Sequence, residues 1–160
     1  MNYAEQDPFK EYSTVIRDLS GVAFQIARVE ERKTEAASVR RHELLDGCIQ
    51  EEQALLLKLR GLEQHRISSQ KALGWEGLTL SQILEKASSE QLELLAPLFE
   101  ELKQQIERLL QARNAAERII NVRLHEMKVI ASQQQGTAYD SGGNTNPAAA
   151  SHARIHNKYV

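Results

Sequence analysis

The chain has 160 residues, 41 % of them apolar and only 5 % aromatic, with a net charge of −2. This length allows one domain with a modest core, and many Leu, Glu, Gln, Lys and Arg beside few aromatics favour packed helices over a sheet. Interleaved charges argue against the concentrated basic face of a nucleic-acid binder, and the single cysteine, Cys48, rules out an internal disulfide and fits a reducing compartment.

The first residues, MNYAEQDPFKEY, have neither the basic start nor the apolar core of a secretory signal. No apolar run approaches the ~18 residues of a membrane span. A cytoplasmic protein that does not insert into membranes is expected.

Residues 1–7 read as a flexible lead, with Asp7 capping a helix whose first residue is Pro8, where the missing proline N–H costs nothing. The spacing predicts a helix over 8–37. Its stripe is Phe9, Tyr12, Ile16, Leu19, Ala23, Ile26, Glu30, Lys33 and Ala37, and the alternating steps of three and four are those of a coiled coil. Gly21 lies off the stripe. Glu30 and Lys33 put charge on the seam, so that end is expected to be wet or ion-paired.

Ser38 offers a cap and marks the expected break, although without Gly or Pro one continuous bent helix remains an alternative. Arg40–Arg41 read as a solvated helix start. A second helix follows over 39–73, with the stripe Leu45, Cys48, Glu52, Leu55, Leu59, Leu62, Arg66, Ser69, Leu73. Cys48 falls on it and reads as a small buried apolar residue. Glu52 and Arg66 read as polar seam positions that fix register.

Gly74 suits a left-handed helix end, and Trp75 with Leu78 should tuck back over it. Thr79 with Gln82, then Ser88 with Gln91, form two capping boxes that delimit a short connector helix over 80–87. The last helix is predicted over 89–134, with Pro97 kinking it or delaying its start to about residue 96. Its stripe is Leu95, Phe99, Leu102, Ile106 and Leu109, then Ala116, Ile120, Leu124, Met127 and Ile130 or Ala131. The second half reaches beyond short partner helices, leaving Ile119, Ile120, Leu124, Met127 and Ile130 as an apolar face in need of cover. Residues 1–134 thus read as one helical domain. Gly, Ser, Thr, Asn and Ala dominate 135–160, which reads as a flexible tail carrying a lone Tyr139; Ile155, Tyr159 and Val160 regain some pattern, as a short docking segment would. The fold class expected is all-α, an antiparallel long-helix bundle.

No phosphate loop, nucleophile elbow, CxxC pair or HExxH is present. His152 and His156 stand four apart on a weakly helical segment, and His42, His65 and His125 lack ligand neighbours at metal spacing. Neither a catalytic residue, a metal site nor a cofactor is expected.

Residues 31–121 resemble the FlgN family of flagellar type III export chaperones. The resemblance is carried by RKTEA (32–36), EEQ (51–53), LEQHR (62–66), LG (73–74), TLSQIL (79–84) and ARNAAERII (112–120), in this order and spacing. GTAYDSGG resembles the Tyr-Gly segment that members carry after the last helix. Asn114 matches the first of two asparagines that members place three apart, while Glu117 stands in place of the second. The resemblance implies a helical hairpin plus a long C-terminal helix. It implies binding of the terminal helices of hook-associated proteins, those of the hook–filament junction; the uncovered apolar face makes Ile119, Ile120, Leu124, Met127 and Ile130 the expected cargo-binding residues, with the motif's Asn114 beside them. It also implies delivery to the export gate with Tyr139 contributing to docking. A self-associating structural coiled coil, in which a homodimer covers the same stripe, is the alternative reading.

Overall fold

A cap opens the first helix: the Asp7 carboxylate accepts the Phe9 N–H at 3.1 Å, and Pro8 takes the first helical position. The computed structural model describes residues 7–140, with side chains to residue 135. Four helices form: α1 (Pro8–Ser38), α2 (His42–Ala72), α3 (Leu80–Lys86) and α4 (Ser89–Asp140). Among the described residues there is no strand. The all-α bundle expected from the spacing is the fold observed.

α1 and α2 are separate helices, and the break differs from the expected one. Ser38 does not cap α2; it ends α1, and its hydroxyl donates to the Thr34 carbonyl at 2.7 Å. The chain turns at Arg40, whose φ of 59° is left-handed. The Arg40 N–H donates to the Ala37 carbonyl and the Arg41 N–H to the Ala36 carbonyl. This paired closure of a helix end normally uses glycine. α2 therefore starts at His42 rather than residue 39, and Arg40–Arg41 form the turn instead of a helix start. A side chain at left-handed φ is strained by about 1 kcal/mol, so Arg40→Gly should raise the unfolding free energy by about that much in urea titration; a loss of stability would show that the Arg40 side chain contributes more than its backbone costs.

The same closure recurs at the end of α2 with the residue that suits it. Gly74 has φ 76°, its N–H meets the Lys71 carbonyl, and the Trp75 N–H meets the Gln70 carbonyl. Trp75 is thereby turned inward and is buried. Both capping boxes form: Thr79 and Gln82 exchange bonds of 2.9 and 3.2 Å, and Ser88 and Gln91 bonds of 3.0 and 3.3 Å. Pro97 lies inside α4, so that helix begins ahead of it at Ser89 rather than near residue 96.

The chain divides into two compact units, Met1–Ile120 and Asn121–Val160. In the first, α1 is the central element. Every residue of its expected stripe from Tyr12 to Ala37 is buried, apart from a half-buried Lys33, and Val15, Val22, Ala27 and Val29 widen the buried face. One face covers a single neighbour; a wide face on α1 packs against two. α2 runs antiparallel to it, since Glu11 pairs with His65 at one end and Lys33 with Glu52 at the other. α4 runs parallel to it: Tyr12 stands edge-on to Phe99 with ring centres 6.3 Å apart, and further along both helices Arg108 bonds Glu31 at 2.8 Å. The core gathers Tyr12, Val15, Ile16 and Leu19 with Trp75, Ile83, Leu95, Phe99 and Leu102. The short α3 thus plugs the end of the bundle with a fully buried Ile83.

In the second unit, α4 continues from Asn121 to Asp140, past the expected end at residue 134 and through Gly136. Residues 1–6 of the expected lead over 1–7, the histidines at 152 and 156 and the docking segment at 155–160 lie outside the described residues.

Candidate functional site

Two polar clusters on the inner seam of α2 are structural in character. Near the α3 end, the Arg66 guanidinium donates to both Glu63 oxygens and to the Gln70 side-chain oxygen at 2.7 Å. The Gln70 amide then donates to the Trp75 and Leu78 carbonyls, each at 2.9 Å. Arg66 thus orients Gln70, and Gln70 pins the loop that turns Trp75 inward. The same guanidinium lies beside the Tyr12 hydroxyl, which is enclosed without hydrogen-bond geometry. Burial pushes that phenol up to about 12, against the lowering effect of Arg66. Gln70→Ala would remove the amide from the Leu78 carbonyl and leave the Trp75 carbonyl with the Leu78 N–H alone, and about 1–3 kcal/mol of stability should be lost; a change under about 0.5 kcal/mol on chemical unfolding would show that water replaces the amide.

Near the hairpin, Lys33 lies 2.7 Å from Glu52 and 3.2 Å from a fully buried Glu30. The charged end of the seam is therefore ion-paired. Glu52 pairs across the seam with Lys33 of α1, as a register-fixing position would, whereas the hydrogen bonds of Arg66 stay within α2. Cys48 is buried on the same seam, as its place on the stripe required.

Apolar groups meet solvent on α2, at Leu44, Ile49, Leu56, Leu57 and Ile67, and along α4. In the first unit the stripe departs from its expected register. Ile106 is 42 % exposed, and Gln105 turns inward instead, with its oxygen shielded from solvent. The cause lies in α1: the register that lays the Arg108 guanidinium 5.1 Å above the Phe24 ring and against Glu31 carries Ile106 to the surface. Leu109 is half-buried and Ala116 fully buried.

The residues expected to bind cargo divide between the two units. In the first, Asn114 is exposed and Ile119 and Ile120 are half-buried. In the second, Leu124 (50 %), Met127 (52 %) and Ile130 (53 %) are open to solvent. Steps of three keep these three on neighbouring turns of one helix side. Sequence reasoning missed a second apolar row. Val122 and Val129, seven residues apart, are also exposed, and at about 100° per residue they fall on the side opposite Leu124. Two valines one heptad apart were the available signal. The half-buried positions here are polar, Arg123 and Glu126, paired at 2.9 Å. Tyr139 falls within the helical backbone of α4, and its side chain lies outside the described ones.

Among the described residues no group of His, Cys, Asp and Glu could hold a metal ion, and no helix is long and apolar enough to cross a membrane. What the chain presents is a helical body and a long helix with exposed apolar rows, an arrangement suited to gripping another helix.

The FlgN protein family model matches residues 9–147, nearly the whole chain. The chain belongs to the FlgN family. FlgN proteins are flagellar export chaperones, not enzymes, and a general role as a flagellar export chaperone follows for this chain. The match takes in all four helices, from the start of α1 past the end of α4. No curated protein and no solved structure is significantly similar to it.

Proposed function

We propose that this FlgN-family chaperone binds the terminal helices of hook-associated proteins along α4 and hands them to the flagellar type III export gate from the cytoplasm. The observation that supports it most is the apolar row Leu124, Met127 and Ile130, each about half exposed. Single exposed apolar residues need no explanation, whereas a row on one side of a helix leaves a continuous strip unpaired with anything apolar. An amphipathic cargo helix laid along it would bury its own stripe in return. Asn114, Ile119 and Ile120, upstream on the same helix, are proposed as further cargo contacts, and Val122 and Val129 offer a second surface for a cargo with more than one helix.

The test is the double variant Leu124→Asp, Met127→Asp, assayed by calorimetry against a purified hook-associated protein. Two charges on the strip should abolish binding while far-UV circular dichroism stays near that of the parent chain. Wild-type affinity in the variant would move the site elsewhere. Sedimentation of the free chain separates the self-association reading: a dimer that the same two substitutions dissociate, together with unchanged cargo binding, would mean that the strip serves a second copy.

Tyr139 is proposed as the export-gate contact. An aromatic ring anchors an interface well because it buries much area with few rotatable bonds. Tyr139→Ala should leave cargo affinity unchanged and lower secretion of the cargo. Cargo affinity that falls with secretion would assign Tyr139 to the cargo site.

A further inference from the structure

Near the α1–α2 hairpin, two carboxyl groups meet one ammonium in the interior. Glu30 on α1 is 1 % exposed. Lys33, one turn on, places its Nζ 3.2 Å from Glu30 Oε2 and 3.4 Å from Oε1, but only 2.7 Å from Glu52 Oε2 on α2. Lys33 is thus engaged mainly with Glu52. Glu30 Oε2 is shielded from solvent and receives no hydrogen bond. The Glu52 carboxyl lies against the same ammonium, which brings the two carboxyl groups together across the α1–α2 seam.

Two ionised carboxylates are both acceptors and repel at such a distance; one proton between them converts the repulsion into a short, charge-assisted bond. The charges acting on Glu30 are Lys33 from its own helix and Glu52 from α2. From α4, Arg113 acts on the Glu52 side, adding to Lys33. Glu52 thus faces two positive charges, Lys33 and Arg113, whereas Glu30 faces Lys33 alone and at the longer distance.

We propose that Glu30 and Glu52 share a single proton at neutral pH, held by Glu30, and that this buried pair is a proton-linked latch tying α1 to α2. The asymmetry of the surroundings agrees with it. Burial first, then the bond to Glu52, push the Glu30 carboxyl above its ordinary range, and Lys33 only partly opposes them. Burial also pushes Glu52 up, but the bonds from Glu30 and Lys33 and the charges of Lys33 and Arg113 outweigh it and hold Glu52 below its ordinary range.

The two groups place the latch in a pH window. The raised Glu30 contributes stability that is complete below its unfolded value and is lost as pH rises through the folded one. The depressed Glu52 contributes stability present above its unfolded value and lost as pH falls through the folded one. The latch is closed between these limits and opens on the alkaline side when Glu30 gives up its proton.

The test is a carboxyl carbon NMR titration of the full chain labelled at glutamate, with Glu30→Gln as the control, since its amide keeps a donor toward Glu52. One carboxyl should titrate above the ordinary glutamate range and be missing from E30Q. In parallel, the wild-type folding constant should fall about tenfold for each unit by which the folded value exceeds the unfolded one, a decline that E30Q abolishes. If every glutamate carboxyl titrates in the ordinary range, or if E30Q loses stability with alkali as steeply as the wild type, the latch does not exist. The wild-type titration decides this even if E30Q does not fold.

Discussion

Leu95→Ala should cost about 2–5 kcal/mol in chemical unfolding of the full chain, as should Ile16→Ala. Both side chains are fully buried, and both lie in the cluster closed by Tyr12, Trp75 and Ile83. Leu95 comes from α4, Ile16 from α1 and Ile83 from α3, so a cavity at this point is felt by three elements at once. The surrounding rings limit collapse: Tyr12 is edge-on to both Trp75, at 5.8 Å, and Phe99. Leu94, the next residue along the chain, is 59 % exposed, and Leu94→Ala should change stability by less than about 0.5 kcal/mol. Equal effects at 94 and 95 would mean that α4 is rotated from the register described. Leu55 and Leu59, central on the α2 stripe, are only half-buried; truncating either should cost less than truncating Leu95, because α2 is covered on one side alone.

The second large effect is expected from Lys33→Met at neutral pH, about 3 kcal/mol, the low end for a buried ion pair that loses one partner. The side chain is 12 % exposed and is the ammonium shared by Glu30 and Glu52. Removing it strands the two carboxyl groups together. Further protonation of the pair limits the damage, so the loss should shrink in mildly acid solution, and Glu30→Gln should recover part of it at neutral pH. Unfolding curves for the single and double variants at two pH values measure this directly. An effect of Lys33→Met under about 1 kcal/mol would show that solvent reaches the cluster.

The sequence alone was sufficient for the class of fold and the inward stripes of α1 and α2, while whether those two were separate or one bent helix was left to the structure. Helix periodicity is local, and caps such as Asp7, Thr79 and Ser88 act on backbone groups two or three residues away. The family was legible for a related reason, since the order of short helical segments survives without knowledge of how they pack. Gly74 marked a helix end because only a residue without a Cβ adopts its φ freely.

What sequence could not supply depended on neighbours distant in the chain. Arg40 carries the same left-handed turn as Gly74, but nothing in an arginine announces it; tertiary pairing of α1 with α2 holds it there. The register of α4 near Ile106 follows from Phe24 and Glu31 on α1, far away in sequence. The central position of α1 likewise emerges only when two helices claim its two flanks. Glu30 and Glu52 read as polar positions on two separate seams, and only antiparallel packing brings them together beside one lysine, where the low dielectric makes their charge balance a property of the fold.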